Sequence, residues 1–286
     1  MTVCLGARAR PPERPSTPVC AARSGAFRLG HVRARPAPAL ASYVDYYWVT
    51  RWDRQGHPPR TATALLDPCV HLQLRDGRAE VMGVVRGTYR MRLAGVGCVV
   101  GVRFRPGGFY PFVRRPTAQW TDRTVPAEEV LGTAGRPTAG WARALWDAID
   151  GCRGDADAHA AMIAAHFDAF LGTLLPAHDA VAEEMATLVA LLGARADVRG
   201  IGALAQASGR SERTLHRLFL RYVGVSPAWV LRRYRLLAAA ERLTAYPPAA
   251  VQDLAYELGY ADQAHLIRDF RATIGMTPGA YVSAPL

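Results

Sequence analysis

IGALAQASGRSERTLHRLFLRYVGVSPAWV, residues 201–230, returns in altered form as VQDLAYELGYADQAHLIRDFRATIGMTPGAY, residues 251–281, about 51 residues further on. Leu204 aligns with Leu254, Ala205 with Ala255 and Gly209 with Gly259. After a one-residue offset, Leu215 aligns with Leu266, Arg217 with Arg268, Phe219 with Phe270, Gly224 with Gly275 and Pro227 with Pro278. A repeat takes precedence over other readings, because overlooking one misassigns the whole architecture. Each copy opens with apolar residues at helical spacing: Ile201, Leu204 and Ala205 in the first, Val251, Leu254, Ala255 and Leu258 in the second. Gly209 and Gly259 end these helices, since glycine enters the left-handed conformation without a Cβ penalty. Ser211 and Asp262 follow where an N-cap belongs, each able to accept a bond from a free backbone N–H. The next helix buries Leu215, Leu218 and Phe219 in one copy and Leu266, Ile267 and Phe270 in the other.

Between those apolar positions stand Glu212, Arg213, His216, Arg217 and Arg221 in copy one, and Gln263, His265, Arg268, Asp269 and Arg271 in copy two. Two helices joined by a glycine turn, the second carrying polar side chains, form the unit that enters a major groove. Arginine pairs bidentately with guanine edges and glutamine with adenine, each worth about 1–3 kcal/mol of discrimination. The candidate DNA contacts are therefore Ser211, Arg213, His216, Arg217, Arg221, Asp262, Gln263, His265, Arg268 and Arg271. The recurrence of Arg217 as Arg268 also fits a second reading, in which both anchor the scaffold. Residues 227–245 read as a single linker helix, with Pro227 in its first turn, Ser226 before it and Pro247-Pro248 stopping it. From Arg199 to Arg235 there are eight arginines and one acid, Glu212, a local basic footprint for a phosphate backbone.

The segment LAQASGRSERTLHRLF, then GVSP, the linker helix and LAYELGYADQAHLIRDFRATIGMTPGAY resembles the DNA-binding domain of the AraC/XylS family of transcription regulators. The likeness covers about 100 residues of the 286. It implies two helix-turn-helix units in one polypeptide, reading successive major grooves on one face of the duplex. By position, the family's base-contacting sites fall on Arg213, His216 and Arg217, and on Gln263, Ala264, His265 and Arg268. Ala264 departs from that pattern, as it offers no hydrogen bond, so the second unit is expected to read fewer base edges or to rely more on phosphate contacts.

A chain of 286 residues accommodates two domains and tails. All 35 basic residues are arginine, and the net charge of +11 favours a polyanionic partner. Five cysteines, Cys4, Cys20, Cys69, Cys98 and Cys152, include no CxxC pair, which argues against a disulfide framework and a zinc ribbon. Cys69 and Cys98 are expected as buried small residues. No metal ligands and no cofactor motif are found, and no apolar run of about 18 residues predicts a membrane span. The start of the chain lacks a secretory apolar core and reads as a disordered arm over residues 1–25. These observations predict a cytoplasmic protein.

Residues 26–123 change to strands and tight turns. YYWVTRW (residues 46–52) is aromatic and β-branched, residues 69–75 and 78–84 flank an Asp76-Gly77 hairpin turn, and residues 88–93 and 97–104 follow. A small antiparallel sheet or barrel is expected. LLDPCVHL, GVRFRPGGFYPF and WTDRTVPAEEVLG resemble an uncharacterised N-terminal domain found in a subset of AraC-type regulators, a likeness that implies sensing or dimerisation and names no ligand. A barrel mouth of this size holds one small molecule, with Tyr47, Trp48, His71, Gln73, Arg103 and Arg105 as candidate lining residues. The alternative is that these are ordinary core and surface positions. Residues 139–175 read as helical, packing on the sheet or forming a dimer seam.

The expected class is thus α+β in two domains. A mainly antiparallel β domain with short helices spans residues 26–175, β-rich over 26–123 and helical over 139–175. An all-α DNA-binding domain spans 176–286, with helix-turn-helix units near 199–222 and 250–274. The expected function is sequence-specific, non-enzymatic transcription regulation. The expected partners are double-stranded DNA, a small-molecule effector, RNA polymerase and a second copy of the chain. A DNA-targeted enzyme with its chemistry in the N-terminal domain is the alternative; no nucleophile–base pair, phosphate loop or paired-acid motif supports it.

Overall fold

The computed structural model describes residues 28–132, 138–149, 156–194, 200–245 and 251–283. The expected N-terminal arm, Arg199 and the Pro247-Pro248 stop lie outside them.

The N-terminal region is built on a six-stranded antiparallel sheet. Its order is β1 (Arg28–Ala34), β2 (Val44–Arg54), β7 (Gly95–Phe104), β4 (His71–Arg75), β5 (Arg78–Met82) and β8 (Thr124–Pro126). A separate pair joins β3 (Arg60–Ala64) to β6 (Tyr89–Leu93). Asp76 and Gly77 between β4 and β5 both take positive φ, 50° and 72°, the requirement of the tight turn that matches strand twist. The expected strands are present; β1, β3 and β8 are additional.

Alternation along the strands sorts the two faces of the sheet. Tyr47, Val49, Leu72, Leu74, Val81, Val100 and Val102 share one buried core with Leu145, Ile163 and Phe167. Those last three come from α3 (Thr138–Ala148) and α4 (Ala156–Thr173), so the helices cover this face. On the opposite face Trp52 and Val99 pack with Leu93, Trp48, Ala62 and Met91, placing the β3–β6 pair over the sheet. Two short helices, α1 (Tyr110–Val113) and α2 (Ala127–Leu131), flank β8. Cys69 and Cys98 are both buried, as expected; Cys69 is a free thiol, whereas Cys98 is disulfide-bonded.

The C-terminal region is helical: α5 (Ala180–Ala194), α6 (Ile201–Ser208), α7 (Glu212–Leu218), α8 (Pro227–Ala245), α9 (Val251–Glu257), α10 (Gln263–Ile274) and α11 (Pro278–Ser283). It holds two cores with α8 as the shared spine. Val230 and Leu231 of α8 join Leu204, Leu215 and Phe219 in the first, whereas Leu236, Leu237, Ala240 and Leu243 join Leu254, Leu266, Phe270 and Tyr281 in the second. Residues of the N-terminal region enter both cores, Val84 and Tyr110 the first and Leu65 the second. Among the described residues, no helix is long and apolar enough to cross a membrane.

Candidate DNA-binding surface

The two units differ in one local detail that the sequence offset anticipates. Gly209 (φ 65°) ends α6, and Ser211 caps α7 after a single intervening residue. Gly259 (φ 74°) follows α9, and two residues separate it from the cap Asp262 of α10. Both caps work as expected: the Ser211 hydroxyl accepts from the Thr214 N–H at 3.2 Å, and the Asp262 carboxylate from the His265 N–H at 2.6 Å. At the far end the copies diverge. α10 runs unbroken to Gly275, whereas after Leu218 the first recognition helix widens into a π turn, Phe219–Val223, closed by Gly224 at φ 102°. Nothing in the aligned sequences signals that turn.

Partners, or the lack of them, divide the arginines into two sets. Arg210 forks onto Glu184 at 2.6 and 2.7 Å, tying the turn of the first unit to α5. Arg232 pairs with Asp269 at 2.8 Å, tying the linker helix to α10, and Arg242 pairs with Glu257 of α9. Arg235 lies 5.8 Å from the Tyr260 ring. Arg233 is wholly buried and donates to the carbonyls of Val85, Arg86 and Gly87. Arg221, expected as a DNA contact, donates to the Tyr110 hydroxyl at 2.7 Å, with its guanidinium 5.0 Å from that ring. The basic footprint read from the run of arginines up to Arg235 is therefore partly engaged within the fold. Five of its members hold the fold together.

Arg213, Arg217, Arg268 and Arg271 form the other set. All four are exposed and make no ion pair among the described residues. They project from α7 and α10, the second helix of each unit. His216 and Gln263 are exposed beside them, and Ala264 is exposed without a polar group. His265 is half-buried, its ring edge-on to Tyr260. Arg217 also lines a groove of about 320 Å³ with Leu220, Tyr110, Arg114 and Pro116, so the N-terminal region forms a shoulder beside α7.

The six candidate effector residues are not brought together. Tyr47 faces the helices, stacked on Phe167 at 5.3 Å with its hydroxyl on Asp168 at 2.6 Å. Trp48, His71, Gln73 and Arg103 sit at alternate strand positions, on the opposite face of the sheet. Trp48 lies across Gly101, where an added Cβ would approach the indole to 2.7 Å. Arg103 is buried, 2.8 Å from Asp67 and 2.9 Å from the Tyr46 hydroxyl, and its Nε reaches Cys69 Sγ at 3.4 Å. Burial, with Arg103 nearby, pushes the His71 imidazole down to about 3, and its Nδ1 has no hydrogen-bond partner. Trp48 Nε1 is likewise unpartnered. Arg105 instead donates to the Ala41 carbonyl at 3.0 Å. Four of the six share a face, and Tyr47 and Arg105 do not belong with them; the alternation of strand residues separates Tyr47 from Trp48. Among the described residues, no cluster of three or more metal-ligating side chains occurs.

Two α-helical pairs, each with a glycine turn, a capped second helix and unpaired arginines on that helix, define a helix-turn-helix DNA-binding module. Comparison with known proteins agrees: residues 204–284 match a helix-turn-helix domain model, and residues 32–126 match a model described only as a domain of unknown function. The HTH-type transcriptional activator RhaS of Escherichia coli is 37% identical over 76 residues, 27% of each chain. The transcriptional activator NphR of a Rhodococcus species is 36% identical over 78 residues, 27% of this chain and 23% of its own. The chain thus spans about a quarter of the length of the curated relatives it matches. A crystal structure of ToxT from Vibrio cholerae superposes over 91% of this chain and 98% of its own, at 10% identity and a TM-score of 0.38. The C-terminal region thus carries a helix-turn-helix domain similar to segments of transcriptional activators, preceded by the domain of unknown function.

Proposed function

We propose that the whole chain is a transcription regulator reading two successive major grooves, α7 in one and α10 in the next. The observation that carries this reading is the set of four unpaired, exposed arginines, two on each recognition helix, beside arginines of the same segment that are engaged by the fold. Arg213, His216 and Arg217 read the first block; Gln263, Arg268 and Arg271 the second, with His265 contributing less because it is half-buried. Ser211 and Asp262 act mainly as helix caps. The N-terminal region, residues 26–175, senses a small effector and acts on the DNA-binding domain, residues 176–286, through their shared contacts. The face bearing Trp48, His71, Gln73 and Arg103 supports that part, because two of its buried polar atoms lack partners. Cys69, the free thiol among the described residues, lends the enzymatic alternative no support: burial pushes it up to about 12, so it stays protonated at neutral pH.

Selection of a random duplex library by the full-length protein, at a fixed near-physiological salt concentration, tests the reading. Two short enriched blocks separated by one helical turn, roughly 10 bp, are expected. Salt-sensitive binding without an enriched motif would reduce the arginines to non-specific phosphate contacts.

A further inference from the structure

The groove of about 320 Å³ beside α7 is walled on one side by the recognition helix and on the other by the N-terminal region. Three arginines line it, Arg114, Arg217 and Arg221, and none of its seven lining residues is acidic. Arg217 is one of the unpaired arginines of α7, whereas Arg221 is held by the Tyr110 hydroxyl at 2.7 Å. Arg114 ends α1 at φ 52°, and its side chain is 55% exposed. Its guanidinium makes no hydrogen bond among the described residues and stands 3.6 Å from Asp179. That carboxylate already accepts from the Val181 and Ala182 N–H groups, both at 3.1 Å, and from the Tyr222 hydroxyl at 3.4 Å. A half-exposed ion pair at such a distance contributes little, so the donors of Arg114 are available to a stronger acceptor.

The two walls are fastened to each other. Thr117 and Thr121 donate to the carbonyls of Tyr222 and Gly224 at 3.0 and 2.7 Å, and the Tyr110 and Tyr222 rings lie 4.2 Å apart. Arg114 is thereby held at a set place across the groove from Arg217. The segment it opens, residues 114–123, contains three arginines and one acid, Asp122, which pairs with Arg86. A duplex seated on α7 presents phosphates along both rims of a major groove about 12 Å wide. A fixed cation next to the reading helix, in surroundings without a free acid, matches that charge.

We propose that the N-terminal region itself contacts DNA: Arg114 donates to a backbone phosphate beside the block read by α7, and the groove between Arg114 and Arg217 seats that strand. Pro116, Ala118 and Leu220 give the deoxyribose an apolar wall. Such a contact carries no sequence information; it adds affinity and fixes the register of α7 on the duplex. The inference rests on the two-groove reading above. It gives the domain of unknown function a direct part in the DNA footprint, separate from any effector it senses.

Affinity of the full-length protein for its selected duplex, measured across a series of salt concentrations, tests it. Arg114→Gln is expected to reduce the slope of log affinity against log salt by about 1, the loss of one phosphate contact, and to weaken binding roughly tenfold at 0.1 M salt. Library selection with this variant should return the same two blocks. Arg114→Lys, which keeps the charge, is expected to restore the slope, a rescue that a merely structural loss would not show. Arg78→Gln removes the same charge at an exposed position of β5, beside a turn that packs near α3, and should leave the slope unchanged. In ethylation interference, one phosphate beside the first block should matter to wild type and not to Arg114→Gln. An unchanged slope in Arg114→Gln, an equal reduction in Arg78→Gln, or altered blocks would each overturn this proposal and leave the two-groove reading standing. Failure of the wild type to select any block would overturn that reading and this proposal with it.

Discussion

Arg217 and Arg268 align in the repeat, and the structure leaves both without an ion pair among the described residues. That state favours the DNA-contact reading proposed above, since the arginines that act as scaffold have partners, as Arg210 and Arg233 do. Arg217→Ala and Arg268→Ala are each expected to lose about 1–3 kcal/mol of discrimination, at different blocks of one bipartite site. Competition binding with duplexes mutated in either block checks this; loss at the same base pairs from both variants would refute the two-groove arrangement. His71 carries a second prediction. Its folded pKa of about 3 lies below the ordinary histidine value near 6.5, so the unfolded chain binds the extra proton in between. The stabilisation is complete above about pH 6.5 and is lost as pH falls through and below it, about 2 kcal/mol between pH 7 and pH 5. Urea denaturation at the two pH values should show that loss in wild type and a shallower one in His71→Gln. Which arginines stay free was not legible in the sequence. The partners that engage the others lie far off in the chain: Glu184 for Arg210, Tyr110 for Arg221 and Val85 for Arg233.

Elements defined by short-range spacing were legible, and those defined by long-range pairing were not. The helices α6 to α10 follow from apolar spacing, caps and glycines within a few residues of one another, which is why the repeat places them well. β3 finds its partner β6 across two intervening strands, and β8 has three residues, ending on a proline, so neither β3 nor β8 carries a local signature. The π turn after α7 belongs to the same class: its cause lies in the surface it meets. It carries Tyr222 onto Tyr110, ring centroids 4.2 Å apart, and brings the Gly224 carbonyl within 2.7 Å of the Thr121 hydroxyl. Gly224 is required there twice over. Its φ is +102°, and an added Cβ would stand 3.1 Å from Thr121 Oγ1 and 3.2 Å from Thr117 Cγ2. Gly224→Ala should therefore cost about 1–3 kcal/mol in thermal or urea denaturation. The matching Gly275→Ala, at φ +89° with nothing within 4 Å, should cost only the backbone part of that. Equal losses at the two positions would mean that contact with the N-terminal region adds nothing.

At the scale of the molecule, the N-terminal region grips the DNA-binding domain at two places, one for each unit. Thr117 donates to the Tyr222 carbonyl at 3.0 Å and Thr121 to that of Gly224, fixing the end of the first recognition helix. Loop 85–87 holds Arg233 on α8, and Leu65 enters the core of the second unit. A duplex with blocks one turn apart demands a fixed separation and rotation between α7 and α10. α8 supplies part of that constraint by contributing to both cores. The grip on the first unit supplies the rest, if the N-terminal region regulates by geometry. The double substitution Thr117→Val, Thr121→Val keeps side-chain shape and leaves two carbonyls without their donors, a loss of roughly 1–3 kcal/mol for each buried one. Library selection with this variant should return the same two blocks, because no reading residue has changed, but with a broader distribution of spacings between them. An unaltered, sharp spacing would assign the fixed geometry to α8 alone and confine the N-terminal contacts to stability.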